Sequence, residues 1–130
     1  MKQKWLDRTL VGIALHLTLV TSEREFHRAM KHCKVPQSDW GDFAPEGVGG
    51  RCVTLEQGAK RTCIVIIPAV KGSTGIDYAS RIVHEAMHVW RVVREVIGEF
   101  DPSLEFEAYS MENITRILFK EFARQTKGKT

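Results

Sequence analysis

Large apolar residues recur at every second position near the start of the chain. Val11, Ile13, Leu15, Leu17 and Leu19 are separated by Gly12, Ala14, His16 and Thr18, which is the period of a strand. Ser22-Glu23-Arg24-Glu25 then has capping-box spacing and opens a helix. Phe26, Ala29, Met30 and Cys33 follow at helical spacing until Pro36 closes the segment. Residues 36 to 50 are rich in Gly, Pro, Asp and Ser around Trp40 and Phe43, which predicts a loop whose aromatics line a cleft or pin the loop down. Residues 51–56 and 62–68 read as a hairpin joined by the four-residue connection Gln57-Gly58-Ala59-Lys60. Its second strand is apolar on both faces (Ile64, Val65, Ile66, Ile67), so both faces need cover.

After the turn Gly72-Ser73-Thr74-Gly75, the spacing predicts a long helix over about residues 76–97. Its expected core face is Ile76, Ala79, Val83, Ala86, Met87, Trp90 and Val93, and Gly98 suits its C-terminal cap. Asp101-Pro102 is a start signal, with Asp as N-cap and Pro in the first turn of a last helix over about residues 103–124. Neither a repeat nor a linker divides residues 1–130, so the chain reads as one α+β domain with helices on one side of a small antiparallel sheet.

Composition narrows the function. With 130 residues, 43% of them hydrophobic and 27% charged, the chain can bury one core and is not a disordered segment. The net charge of +3 is spread out, with neither a basic stripe nor an aromatic platform, so a nucleic-acid partner is not expected. Three cysteines without CxxC spacing argue against a disulfide framework and for a reducing, cytoplasmic setting. The apolar run Leu10 to Val20 follows Lys2, Lys4 and Arg8, but Asp7 and His16 intrude, and no cleavage site follows. The run is also too short to span a bilayer, so it reads as a strand and no membrane partner is expected.

The segment that carries chemistry is His84-Glu85-Ala86-Met87-His88. Histidines four residues apart project about 40° apart on one helix face, so both can reach one metal ion. Glu85 flanks that face and can serve as the base for a water that zinc acidifies. A stable zinc site needs a third protein ligand. Glu105-Phe106-Glu107-Ala108-Tyr109 offers two carboxylates roughly 200° apart on the next helix, Glu105 sharing a face with Ala108, Tyr109 and Glu112. A short connection lets the two helices pack antiparallel, which would return Glu105 towards His88, while Tyr109 offers a hydroxyl for a ligand or an oxyanion. Glu107 stays open as the alternative ligand, and either carboxylate also favours a helix N-terminus.

His-Glu-x-x-His followed, after 16 intervening residues, by Glu-x-x-Ala-Tyr resembles the gluzincins, the zincin clan that includes thermolysin. The resemblance covers roughly residues 62–112. It implies a minimal zincin-like fold, a small antiparallel sheet packed against an active-site helix and a following Glu-bearing helix. It further implies one Zn²⁺ per chain held by His84, His88 and Glu105, with Glu85 as general base; Tyr109 reads, from its own position, as either a catalytic hydroxyl or a packed core tyrosine. Residues 62–69 would be the antiparallel edge strand along which an extended peptide or protein substrate pairs. Tyr109 stands where many members carry Asp or Asn, and the chain is close to a minimal catalytic core.

The expectation is therefore a zinc-dependent peptidase. The alternatives are a zincin-fold binding, assembly or regulatory protein with a structural metal or lost catalysis, and a metal-free interaction module. Arg81, Arg91 and Arg94 lie near the histidine face and read as solvated charges in preference to anchors for a substrate carboxylate. His16, His27 and His32 lack ligand spacing and read as structural, and Cys52 and Cys63 lack the spacing of a metal pair.

Overall fold

Strand β3 (Lys60–Ile66) occupies the middle of a three-stranded sheet because its side chains are apolar on both faces. Cys63, Ile64, Val65, Ile66 and the following Ile67 are all fully buried, and each isoleucine so covered contributes roughly 1.5–3 kcal/mol. The computed structural model describes residues 15–127 together with Gln3, Trp5 and Leu6. β1 (His16–Val20) lies parallel to β3, and β2 (Arg51–Gln57) lies antiparallel on its other side. The order is β1-β3-β2, so the sheet is mixed and not purely antiparallel. The strand expected from Val11 starts at His16 in the described part of the chain, and residues 10–14 lie outside it.

The hairpin turn is shorter than its composition suggests. Gln57 pairs with Lys60, leaving only Gly58 and Ala59 in the connection. Gly58 takes a φ of 66°, which glycine adopts without a Cβ penalty.

Because β3 needs cover on both sides, helices pack on both faces of the sheet and not on one. Helix α1 (Glu23–His32) covers one face with Phe26, Ala29 and Met30, against Val20, Ile64 and Ile66. Ser22 caps it, its Oγ accepting from Glu25 N at 3.3 Å. Trp40 and Phe43 pin the long loop onto this same side, and the Trp40 indole donates to Val35 O at 2.8 Å.

The other face belongs to helices α2 (Gly75–Ile97) and α3 (Leu104–Thr126). A capping box starts α2: Thr74 Oγ1 accepts from Asp77 N at 3.2 Å, and Asp77 Oδ2 accepts from Thr74 N at 2.8 Å. Gly98, at φ 73°, ends α2 as expected. α3 is capped by Ser103, which accepts from Phe106 N at 3.2 Å, and not by Asp101. Tyr78 meets Phe122, and Trp90 meets Phe106, so the two helices run antiparallel.

The buried face of α2 is Ile82, Glu85, Ala86, Val89, Trp90 and Val93. Ile76, Val83 and Met87, expected in the core, are exposed. The helix is thus turned by roughly 70° about its axis from the face its sequence suggests. α2 carries large apolar side chains on more than one side, and the sheet covers the side bearing Ile82 and Val89. That rotation carries Glu85 inward and leaves His84 and His88 outside. No helix among the described residues is long and apolar enough to cross a membrane.

Candidate metal centre

His84, Glu85 and His88 come from successive turns of one helix, so α2 alone sets their geometry. His84 Nε2 and His88 Nε2 are 3.4 Å apart, with ring planes inclined at 63°. One ligand atom from each of the three residues lies within 4.8 Å of the others. Two imidazoles bound to one tetrahedral zinc at about 2.0–2.1 Å place their nitrogens roughly 3.3–3.4 Å apart. The two histidines therefore match two of the ion's positions, and Glu85 is the carboxylate among the described residues close enough to be the third ligand.

Glu85 occupies the inner edge of the cluster and is only 4% exposed, whereas both histidines are exposed. Burial pushes its carboxyl above the ordinary range, against the opposing pull of His84 and His88. Room for it comes from Gly50, where a Cβ would sit 3.2 Å from Glu85 Oε2. Next to it, the hydrogen bond to Cys63 and then burial push the Cys52 thiol up, the same hydrogen bond draws the Cys63 thiol down, and neither cysteine belongs to the metal cluster.

Gly49, Gly50, Ser80, Arg81, His84 and Glu85 line a recess of about 330 Å³. A larger one, about 440 Å³, is lined by Thr21, Ser22, Ile67, Ala69, Tyr78, Phe122 and Thr126. Its hydroxyls are spent within the fold: Thr21 bonds Gln125, Tyr78 bonds Val70 O and Thr126 bonds Phe122 O. The titratable chemistry gathers at the smaller recess.

The structure does not bring the residues expected from α3 to this cluster. Glu105 and Tyr109 stand on the exposed face of α3, Tyr109 at 66% exposure, and neither joins His84 and His88. Glu107 is the carboxylate that turns inward, but it accepts from Trp90 Nε1 at 2.9 Å and lies 3.9 Å from Arg94 Nη1. The strand expected along the edge, residues 62–69, overlaps the central β3; the edge strand beside α2 is β2.

The remaining candidates separate cleanly. Arg94 closes the end of α2 by donating to Glu99 O and Phe100 O, and Arg91 lines a different recess with Glu95 and Phe100. The His16 and His32 rings meet Trp5, and the His27 ring meets Trp40. Sequence reading overlooked Gly49 and Gly50, although a glycine doublet just before a strand is a signal of close backbone approach.

Fold and cluster together define an α+β protein with a His-Glu-His group of the His-Glu-x-x-His pattern, suited to holding a metal ion. Comparison with protein-family models, curated proteins and solved structures returns no match.

Proposed function

We propose that this protein is a zinc-dependent peptidase of the zincin type. His84 and His88 hold one Zn²⁺ per chain as its two protein ligands among the described residues, water completes the coordination, and Glu85 acts as general base on an amide bond of a peptide or protein. The observation that carries the reading is the 3.4 Å separation of the two Nε2 atoms, which matches the bite of a zinc ion. When bound, zinc supplies Lewis-acid polarisation of a carbonyl and of water.

Glu85 supports this chemistry through its surroundings. It accepts no hydrogen bond from the described residues, and burial raises its proton affinity. Such a carboxylate can take a proton from water and deliver it to the leaving amine nitrogen. The edge of β2 that pairs with none of the described strands begins at Arg51 next to Gly50 and offers backbone groups to an extended substrate. Three free thiols suit a reducing, cytoplasmic setting for it.

A second reading is favoured by one observation: with Glu105 on the outer face of α3, Glu85 is the carboxylate that lies with the histidines. Glu85 would then be the third ligand, and the protein would bind metal without turning over a peptide. Elemental analysis of the wild type, Glu85→Gln and a His84→Ala/His88→Ala double variant tests both readings, together with peptide hydrolysis. The peptidase reading expects about one zinc per chain in the wild type and in Glu85→Gln, with hydrolysis lost in the latter. Loss of zinc in Glu85→Gln favours the second reading, and a wild type without zinc removes both.

A further inference from the structure

Arg81, His84, Glu85 and His88 form an i, i+3, i+4, i+7 stripe along α2, and Arg81 lines the same recess as His84 and Glu85. Three features hold its side chain in place. Nη1 donates to Ser73 Oγ at 2.8 Å, and the guanidinium carbon sits 5.3 Å from the centre of the Tyr78 ring. Gly49 passes so close that a Cβ there would come within 2.5 Å of Arg81 Nε.

Among the described residues the charge of Arg81 has no carboxylate in ion-pair contact. Glu85 at i+4 is the usual partner on a helix, yet no carboxylate of the described residues lies within 4.0 Å of the Arg81 guanidinium. Asp77 feels its charge, but the Asp77 carboxylate is engaged with Thr74 N–H. A guanidinium has five N–H donors, and among the described residues only the bond to Ser73 draws on them. An oriented guanidinium fork on the wall of a recess has the geometry to take a carboxylate.

Resting on the peptidase reading above, we propose that Arg81 determines specificity by pairing with the free C-terminal carboxylate of the substrate. The enzyme then removes the last residue of a peptide instead of cutting within it. Residues one helical turn apart have Cβ atoms about 5–6 Å apart, and consecutive Cα atoms of a peptide are 3.8 Å apart. Arg81 stands one turn from His84 and Glu85 and two turns from His88, a spacing we match to a single residue between the scissile carbonyl and the carboxylate. The reaction adds water across the last peptide bond: hydroxyl goes to the carbonyl carbon, the C–N bond breaks, and the proton goes to the amine nitrogen.

The test is calorimetric titration of the zinc-loaded protein with a mercaptoacyl amino acid, its carboxamide twin, and a carboxamide analogue bearing a glutamate side chain. All three offer the same thiolate to the metal and differ only in the carboxylate. Zinc content and melting temperature are measured on every sample. The expected result is that the free acid binds roughly tenfold or more tighter than its carboxamide. That ratio should fall towards one in Arg81→Gln and recover in part in Arg81→Lys, which keeps the charge without the fork. Equal binding of acid and carboxamide to zinc-loaded wild type overturns the role of Arg81 and leaves the metal site standing. Equal binding of the acid and the glutamate analogue overturns the C-terminal assignment. Protein that takes up no zinc, or zinc-loaded protein that binds none of the three, overturns the peptidase reading and this inference with it.

Discussion

The Trp90 indole donates to the Glu107 carboxylate at 2.9 Å, across the seam between α2 and α3. The Phe106 ring meets the Trp90 ring edge-on at 5.7 Å beside this bond, and Arg94 approaches the same carboxylate. Glu105 lies roughly 200° around α3 from Glu107, so the contact that turns one carboxylate inward turns the other out.

Trp90 is fully buried and Glu107 is half-buried, so Trp90→Phe removes core volume and leaves a partly desolvated carboxylate without its donor. We expect a loss of about 2–3 kcal/mol in chemical denaturation. Glu107→Gln keeps an acceptor for the indole and should lose less. Stability of Trp90→Phe equal to wild type would refute this account of the seam.

The metal should not hold the fold together. The core is closed by apolar residues of the sheet and the helices, and both histidines lie outside it. Chelation should therefore leave the circular dichroism spectrum unchanged. Zinc at 100 times its dissociation constant should stabilise the protein by about 2.7 kcal/mol through mass action. Thermal melts should lose that increment in His84→Ala and in His88→Ala, and keep it in Glu105→Ala. Unfolding on chelation would show that the metal is structural.

Gly50 gives Glu85 its place. A Cβ there would lie 3.2 Å from both Glu85 Oε2 and Ile67 Cδ1, and 3.4 Å from Ile66 O. Gly50→Ala should destabilise the protein by about 1–2 kcal/mol, as overpacking does, and slow hydrolysis by displacing the carboxylate. Thermal melting and peptide turnover on the same preparation check both effects, and unchanged turnover would separate Gly50 from the site.

Asp77 makes the start of α2 sensitive to acid. Hydrogen bonds from the Thr74 backbone and side chain hold its carboxyl below the ordinary value of 3.8. A folded-state value that is depressed contributes stability above the unfolded value, and that stability is lost as pH falls through the folded one. The melting temperature of Asp77→Ala should thus trail the wild type by a constant margin from about pH 5 upward, and the margin should shrink in stronger acid. A margin independent of pH would exclude the carboxylate as its source.

Local features were legible in the sequence because they depend on near neighbours. The caps at Ser22 and Gly98, the helical spacing of Phe26, Ala29 and Met30, and the doubly apolar β3 all stand where periodicity put them. So does the His84–Glu85–His88 cluster, since four residues of helix bring the two rings together whatever the helix packs against. Features that depend on a distant partner were not legible. Alternation within β1 says nothing of whether β3 runs parallel to it, and the mixed sheet follows from how the chain returns after α1. Both sides of α2 carry large apolar residues, so only contact with the sheet decided that Ile82 and Val89 go in while Val83 and Met87 stay out. The same holds for α3, where Glu105 and Glu107 are equal as sequence and opposite in space. The sequence by itself determined the histidine pair and its glutamate. Tertiary packing decided that Arg81, and not Glu105, shares their recess, because the rotation of each helix is set by the whole buried surface and not by any one residue along it.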